Sequence, residues 1–163
     1  MKIAVIIQAR MNSSRFPGKI MKDISGKPML WHVVNRLKYC RLIDDIIIAT
    51  TTNTEDNLVE QFCCQNNLNF FRGSEKDVLD RYYNAAFKYN VDLVVRITSD
   101  CPLLDPIITD LVIDSCLKKS NIDGASNIVE RTFPRGLDVE VLFFSVLHRL
   151  KKEATKNYYK EHV

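Results

Sequence analysis

At 163 residues the chain is sized for one compact domain, 1–163, able to bury roughly 70% of the surface that its unfolded form exposes. Its 46% hydrophobic and 26% charged residues exclude a disordered or fibrous class, and a net charge of +3 is too small to argue for nucleic-acid binding. No run approaches the ~18 apolar residues of a membrane span, so a cytoplasmic protein with no membrane partner is expected.

The first predicted element is a strand over residues 3–7, a continuous β-branched run that reads as buried on both faces. Residues 8–19 are polar, with Pro17 and Gly18, and read as a loop. Pro28 then opens a helix whose apolar face is Leu30, Val33, Val34 and Leu37. A second buried strand covers 46–50. A helix over 55–66 places Leu58 and Phe62 inward, and a short strand covers 68–71. The next helix, 77–89, turns Val78, Leu79, Tyr82 and Ala86 inward. A strand over 93–97 and a helix over 106–117 follow. This alternation predicts an α/β fold with a mainly parallel sheet. Residues 133–144 then alternate with period two and read as an antiparallel or edge strand before a helix from about Ser145.

Five cysteines (Cys40, Cys63, Cys64, Cys101 and Cys116) contain no C-x-x-C pair and read as reduced, mostly buried thiols. His32, His148 and His162 show no metal spacing.

Ligands of open parallel sheets sit beyond the carboxyl ends of the strands, which directs attention to the loops after the strands at 3–7, 46–50 and 93–97. The first offers Gln8, Ala9, Arg10, Met11, Asn12, Ser13, Arg15 and Lys19 around a Pro-Gly turn. Guanidinium forks, a point-charge lysine and backbone amides are what a triphosphate requires. The loop is neither a Walker A nor a G-x-G-x-x-G sequence, and a solvated basic loop is the competing reading. In the third loop, Asp100 follows an otherwise apolar strand and is a candidate Mg²⁺ ligand, while Asp105 before Pro106 caps the next helix. Arg72 and Ser74 stand at a strand-to-helix junction, where a base or ribose contact competes with a turn and an N-cap.

These segments, with FRGSEKDVLDRY at 71–82, RITSDCPLLDP at 96–106 and FPRGLDVEV at 133–141, resemble the cytidylyltransferases that activate acidic sugars. The similarity is to the spore-coat polysaccharide biosynthesis protein F branch, related to the acylneuraminate and 3-deoxy-manno-octulosonate cytidylyltransferases. The resemblance implies a Rossmann-like, three-layer nucleotide-diphospho-sugar transferase (GT-A-like) fold. It implies transfer of CMP from CTP to an acidic sugar with pyrophosphate release, for surface polysaccharide or glycan biosynthesis. Arg10, Lys19 and Asp100 become the expected catalytic residues, with Asp100 on Mg²⁺. Gln8, Ala9, Met11, Asn12, Ser13, Arg15, Arg72 and Ser74 become expected nucleotide contacts, and Asp138 and Glu140 expected contacts to the sugar. Asn12 stands where that branch carries glycine. Relatives also continue past Val163 with a second metal-binding aspartate, so a C-terminally truncated form is expected, and a homodimer is one assembly the sequence allows. The alternatives are a nucleotide-binding homologue with weak turnover and a non-enzymatic α/β interaction protein.

Overall fold

The computed structural model describes residues 1–156 apart from Ser14, together with Tyr158 and Lys160; His162 lies outside the described residues. In chain order the elements are β1 (Ile3–Gln8), β2 (Asp23–Ile24), β3 (Lys27–Pro28), α1 (Met29–Leu37), β4 (Asp45–Thr51), α2 (Asn57–Gln65) and β5 (Asn69–Gly73). There follow α3 (Val78–Lys88), β6 (Leu93–Thr98), α4 (Pro106–Leu117), β7 (Gly124–Ser126), β8 (Glu140–Phe143) and α5 (Phe144–Glu153). The main sheet runs β5-β4-β1-β6-β8-β7. β5, β4, β1 and β6 are mutually parallel, and β8 pairs antiparallel with β6 and with β7. This is the expected α/β architecture with a mainly parallel sheet.

The apolar run of β1 is explained by its place at the sheet centre. Ile3, Val5 and Ile7 enter one core with α1, α2 and α4, whereas Ala4 and Ile6 enter a second core with α3 and α5. Helices therefore cover both faces, and a strand buried on both sides needs no polar alternation. Leu30, Val33, Val34 and Leu37 of α1 are all buried, as their spacing requires. Asp105 caps α4 by accepting from the amides of Ile107 and Ile108 at 2.8 and 3.2 Å.

Three expectations are corrected. Leu58 is half exposed; the buried stripe of α2 is Val59, Phe62 and Cys63, and the helix starts at Asn57, after a 3-10 turn over Thr54–Asp56. The strand expected over 133–144 shrinks to β8. Before it, Gly136 has φ 95°, and Asn127 bonds both Leu137 O and the Val139 amide, holding the segment as a loop. Pro28 pairs with Asp23 in a small hairpin and is the N-cap residue directly before α1, so the helix proper opens at Met29, one residue later than expected. The hairpin turns on Ser25 and Gly26, both at positive φ (53° and 83°), the signature of a two-residue primed turn.

β7 escaped the sequence reading because it is three residues of small side chains. Its Gly124 is required sterically: a Cβ there would meet Val141 O at 2.1 Å. Gly124→Ala should cost about 1–3 kcal/mol by overpacking, read as a lower urea midpoint. An unchanged midpoint would contradict this close approach.

Candidate nucleotide-binding cleft

The loop after β1 is held at both ends. Ala9 N continues the β4 ladder by donating to Ala49 O at 3.1 Å, and Gly18 N closes the loop on Met11 O at 2.8 Å. Gly18 sits at φ 69°, a left-handed geometry that suits glycine. Beyond it a 3-10 turn over Lys19–Met21 buries Ile20 and fixes the base of Lys19. Asp56, 2% exposed, accepts from Met11 N at 2.6 Å and from the Thr51 hydroxyl. The loop after β1 is thus tied to the loop after β4. Asn12 is not among the residues at positive φ, so asparagine in place of glycine is accommodated without a left-handed turn.

Beside this loop lies a cleft of about 330 Å³ at the carboxyl ends of β1 and β6. Gln8, Ala9, Arg10, Asn12, Ser13, Arg15 and Lys19 line it from the loop. Thr98, Ser99 and Asp100 close it from the end of β6, and Val78 and Arg81 from α3, with Arg96 in its floor. Five cationic side chains (Arg10, Arg15, Lys19, Arg81 and Arg96) therefore line it with one carboxylate, Asp100. Such a surface favours a polyanion.

Lys19 Nζ meets Asp100 Oδ2 at 2.5 Å across the cleft. Burial works to raise the Asp100 pKa, but hydrogen bonds from Lys19 and Thr98 and the Lys19 charge outweigh it and hold the group below the ordinary carboxylate value. Asp100 is thus ionised at neutral pH. Arg10 is only loosely tethered, 3.8 Å from Glu75. The neighbouring Cys101 thiol is pushed up by burial, which disfavours the thiolate a nucleophile needs.

The remaining sequence candidates stand apart from the cleft lining. Met11 contributes its backbone to the loop and packs its side chain on the core. Arg72 is engaged by Glu60, Asn57 and the carbonyls of Thr51 and Asn53. Ser74 Oγ accepts from Asp77 N at 3.0 Å. Asp138 is gripped by Arg131 at 2.6 and 3.3 Å. Glu140 pairs with Arg96, its cross-strand neighbour. Arg81 and Arg96 were not singled out from the sequence, although a signal was present. Arg96 interrupts an apolar buried strand, and Arg81 falls three residues after Val78 on the inward face of α3.

A family model described as cytidylyltransferase matches residues 4–163. Spore coat polysaccharide biosynthesis protein SpsF of Bacillus subtilis is 31% identical over 166 residues, covering 99% of this chain and 68% of that protein. The 8-amino-3,8-dideoxy-manno-octulosonate cytidylyltransferase of Shewanella pealeana is 34% identical over 119 residues, covering 71% of this chain and 48% of that enzyme. The chain thus spans between about half and about two thirds of these curated relatives. A cytidylyltransferase structure from Leptospira borgpetersenii superposes with a TM-score of 0.95 at 38% identity, covering 99% of this chain and 68% of that one. With the match to the family model running along nearly its whole length, this chain belongs to the cytidylyltransferase family.

Proposed function

We propose that this protein transfers CMP from CTP to an acidic sugar with release of pyrophosphate, serving surface polysaccharide or glycan biosynthesis in the cytoplasm. The observation that carries the reading is the cleft at the sheet's carboxyl edge, where Arg10, Arg15, Lys19 and Arg81 face one ionised carboxylate, Asp100, and Arg96 is paired with Glu140. Family membership and the names of the relatives support the choice of CTP and of an acidic sugar.

Arg10 and Lys19 hold the β- and γ-phosphates and stabilise the charge that collects on the leaving group. An acceptor hydroxyl oxygen forms a bond to the α-phosphorus. The bond from that phosphorus to the α–β bridging oxygen breaks, and pyrophosphate leaves with the electron pair while the hydroxyl proton passes to solvent. The cleft's work is alignment and charge neutralisation. Asp100 fits an Mg²⁺ ion: it is ionised, it lines the cleft, and one carboxylate with phosphate oxygens is the donor set this ion prefers. When bound, Mg²⁺ neutralises charge on the phosphate oxygens. Lys19 screens Asp100 until the triphosphate offers it new acceptors.

Pyrophosphate release from CTP, with 3-deoxy-manno-octulosonate or N-acetylneuraminate as acceptor, tests the reading. Release that requires CTP, an acidic sugar and Mg²⁺, and that stops with EDTA, is expected. A folded protein that releases none with any acidic sugar would sink it.

A further inference from the structure

The two cations assigned to the β- and γ-phosphates each face a carboxylate, and the two pairs differ. Asp100 lines the cleft and meets Lys19 Nζ at 2.5 Å. Glu75 is not among the lining residues, and its Oε1 lies 3.8 Å from Arg10 Nη1. Glu75 belongs to the segment between β5 and α3, so it reaches Arg10 from outside the loop after β1.

Glu75 is fixed where it stands. Its Oε2 accepts from Asn53 Nδ2 at 2.8 Å. Asn53 donates its amide to the Thr51 hydroxyl at 3.1 Å, and its carbonyl accepts from Arg72 Nη2 at 2.8 Å. The Thr51 hydroxyl ends on Asp56, the buried acid that also holds the Met11 amide. Arg10 is anchored less firmly: its side chain is 42% exposed, and its contact with Glu75 is longer than a hydrogen bond. Burial lowers the pKa of Arg81 and the nearby Arg10 charge adds to this, so two cations share the field of Asp56 and Glu75. A fixed carboxylate opposite a loosely held guanidinium is a standing competitor. Any anion that takes Arg10 must win it from Glu75.

We propose that Glu75 is a positioning residue that competes with phosphate for Arg10. It holds the guanidinium at the cleft while the cleft is empty, yields it to the β- and γ-phosphates, and takes it back as pyrophosphate leaves. The inference rests on the triphosphate reading proposed above. The pair is too exposed to block binding. It weakens the hold on triphosphate and on pyrophosphate alike, which limits retention of the product.

Calorimetric titration with pyrophosphate, CTP and CMP in the presence of Mg²⁺ tests it on the wild type, Glu75→Gln, Arg10→Ala and the double variant. Glutamine keeps an oxygen for Asn53 and removes only the charge, so the melting temperature should stay that of the wild type. Glu75→Gln should bind pyrophosphate and CTP about threefold tighter, the scale of an exposed ion pair, and should bind CMP as the wild type does. In the Arg10→Ala background the same substitution should change nothing. A gain in affinity is a result that a merely structural role does not produce. Unchanged or weaker pyrophosphate binding in Glu75→Gln overturns the competitor role. So does a gain that persists without Arg10, or an equal gain for CMP, either of which is a diffuse charge effect. Wild-type protein that binds neither CTP nor pyrophosphate overturns the triphosphate reading itself.

Discussion

Asp100→Asn should lower the rate of CMP transfer by about 10²–10³-fold, on the scale seen when one charge-stabilising group is removed from a reacting centre. The substitution keeps size and one acceptor oxygen but removes the charge that holds Mg²⁺. CTP affinity without metal should hold or rise, because the freed Lys19 then faces phosphate alone. A rate within threefold of wild type would remove Asp100 from the chemistry. Lys19 predicts a pH signature as well. Its hydrogen bond and charge help hold the Asp100 pKa below the ordinary carboxylate value. The stabilising pair is therefore complete above that ordinary value and is lost only as pH falls through the depressed one. No inflection from Asp100 is expected between pH 5 and 8. In Lys19→Ala the acid limb of an Mg²⁺-binding profile should move upward, and an unmoved limb would contradict the pairing.

Asp56→Ala carries the second large effect, and it acts on fold and site together. The side chain is buried and accepts from Met11 N and the Thr51 hydroxyl, so its removal orphans a backbone amide and a hydroxyl. A loss of about 2–4 kcal/mol is expected, measured by urea unfolding. Because Met11 anchors the loop that carries Arg10, triphosphate affinity should fall by roughly tenfold even where the protein is folded. Asp56→Asn retains an oxygen for Met11 N and should recover part of both losses. Full stability and full affinity in the alanine variant would show that the tie between the two loops does not hold the site.

Much of this architecture was legible because the physics is local. Continuous β-branched runs announced β1, β4 and β6, and the spacing of Leu30, Val33, Val34 and Leu37 gave the inward face of α1. The loop after β1 was legible as a candidate anion site from its cations and its position, with a solvated basic loop as the competing reading. What escaped depends on contacts distant in sequence. Asp56 reads as one of two adjacent acids, Glu55 and Asp56, yet its role comes from Met11, 45 residues away. β7 has no apolar pattern and exists because β8 offers it a backbone edge. Leu58 and Val59 are adjacent apolar residues, and the packing of α2 on the core, which takes in Val59, decides which one turns inward. The sequence offers Arg72 as a base or ribose contact or as part of a turn, whereas the fold surrounds it with Glu60, Asn57 and two carbonyls. Arg81 and Arg96 were not singled out, because only the fold brings both to one cleft.

The central claim is that the loop after β1 holds a triphosphate. Calorimetric titration with CTP, ATP, GTP and UTP, with and without Mg²⁺, on wild type and Arg10→Ala tests it most directly. The account predicts Mg²⁺-dependent binding that prefers CTP and weakens by about tenfold in Arg10→Ala, the worth of one charge-assisted contact. A folded protein that binds no triphosphate, or an Arg10→Ala variant that binds CTP as the wild type does, would contradict it.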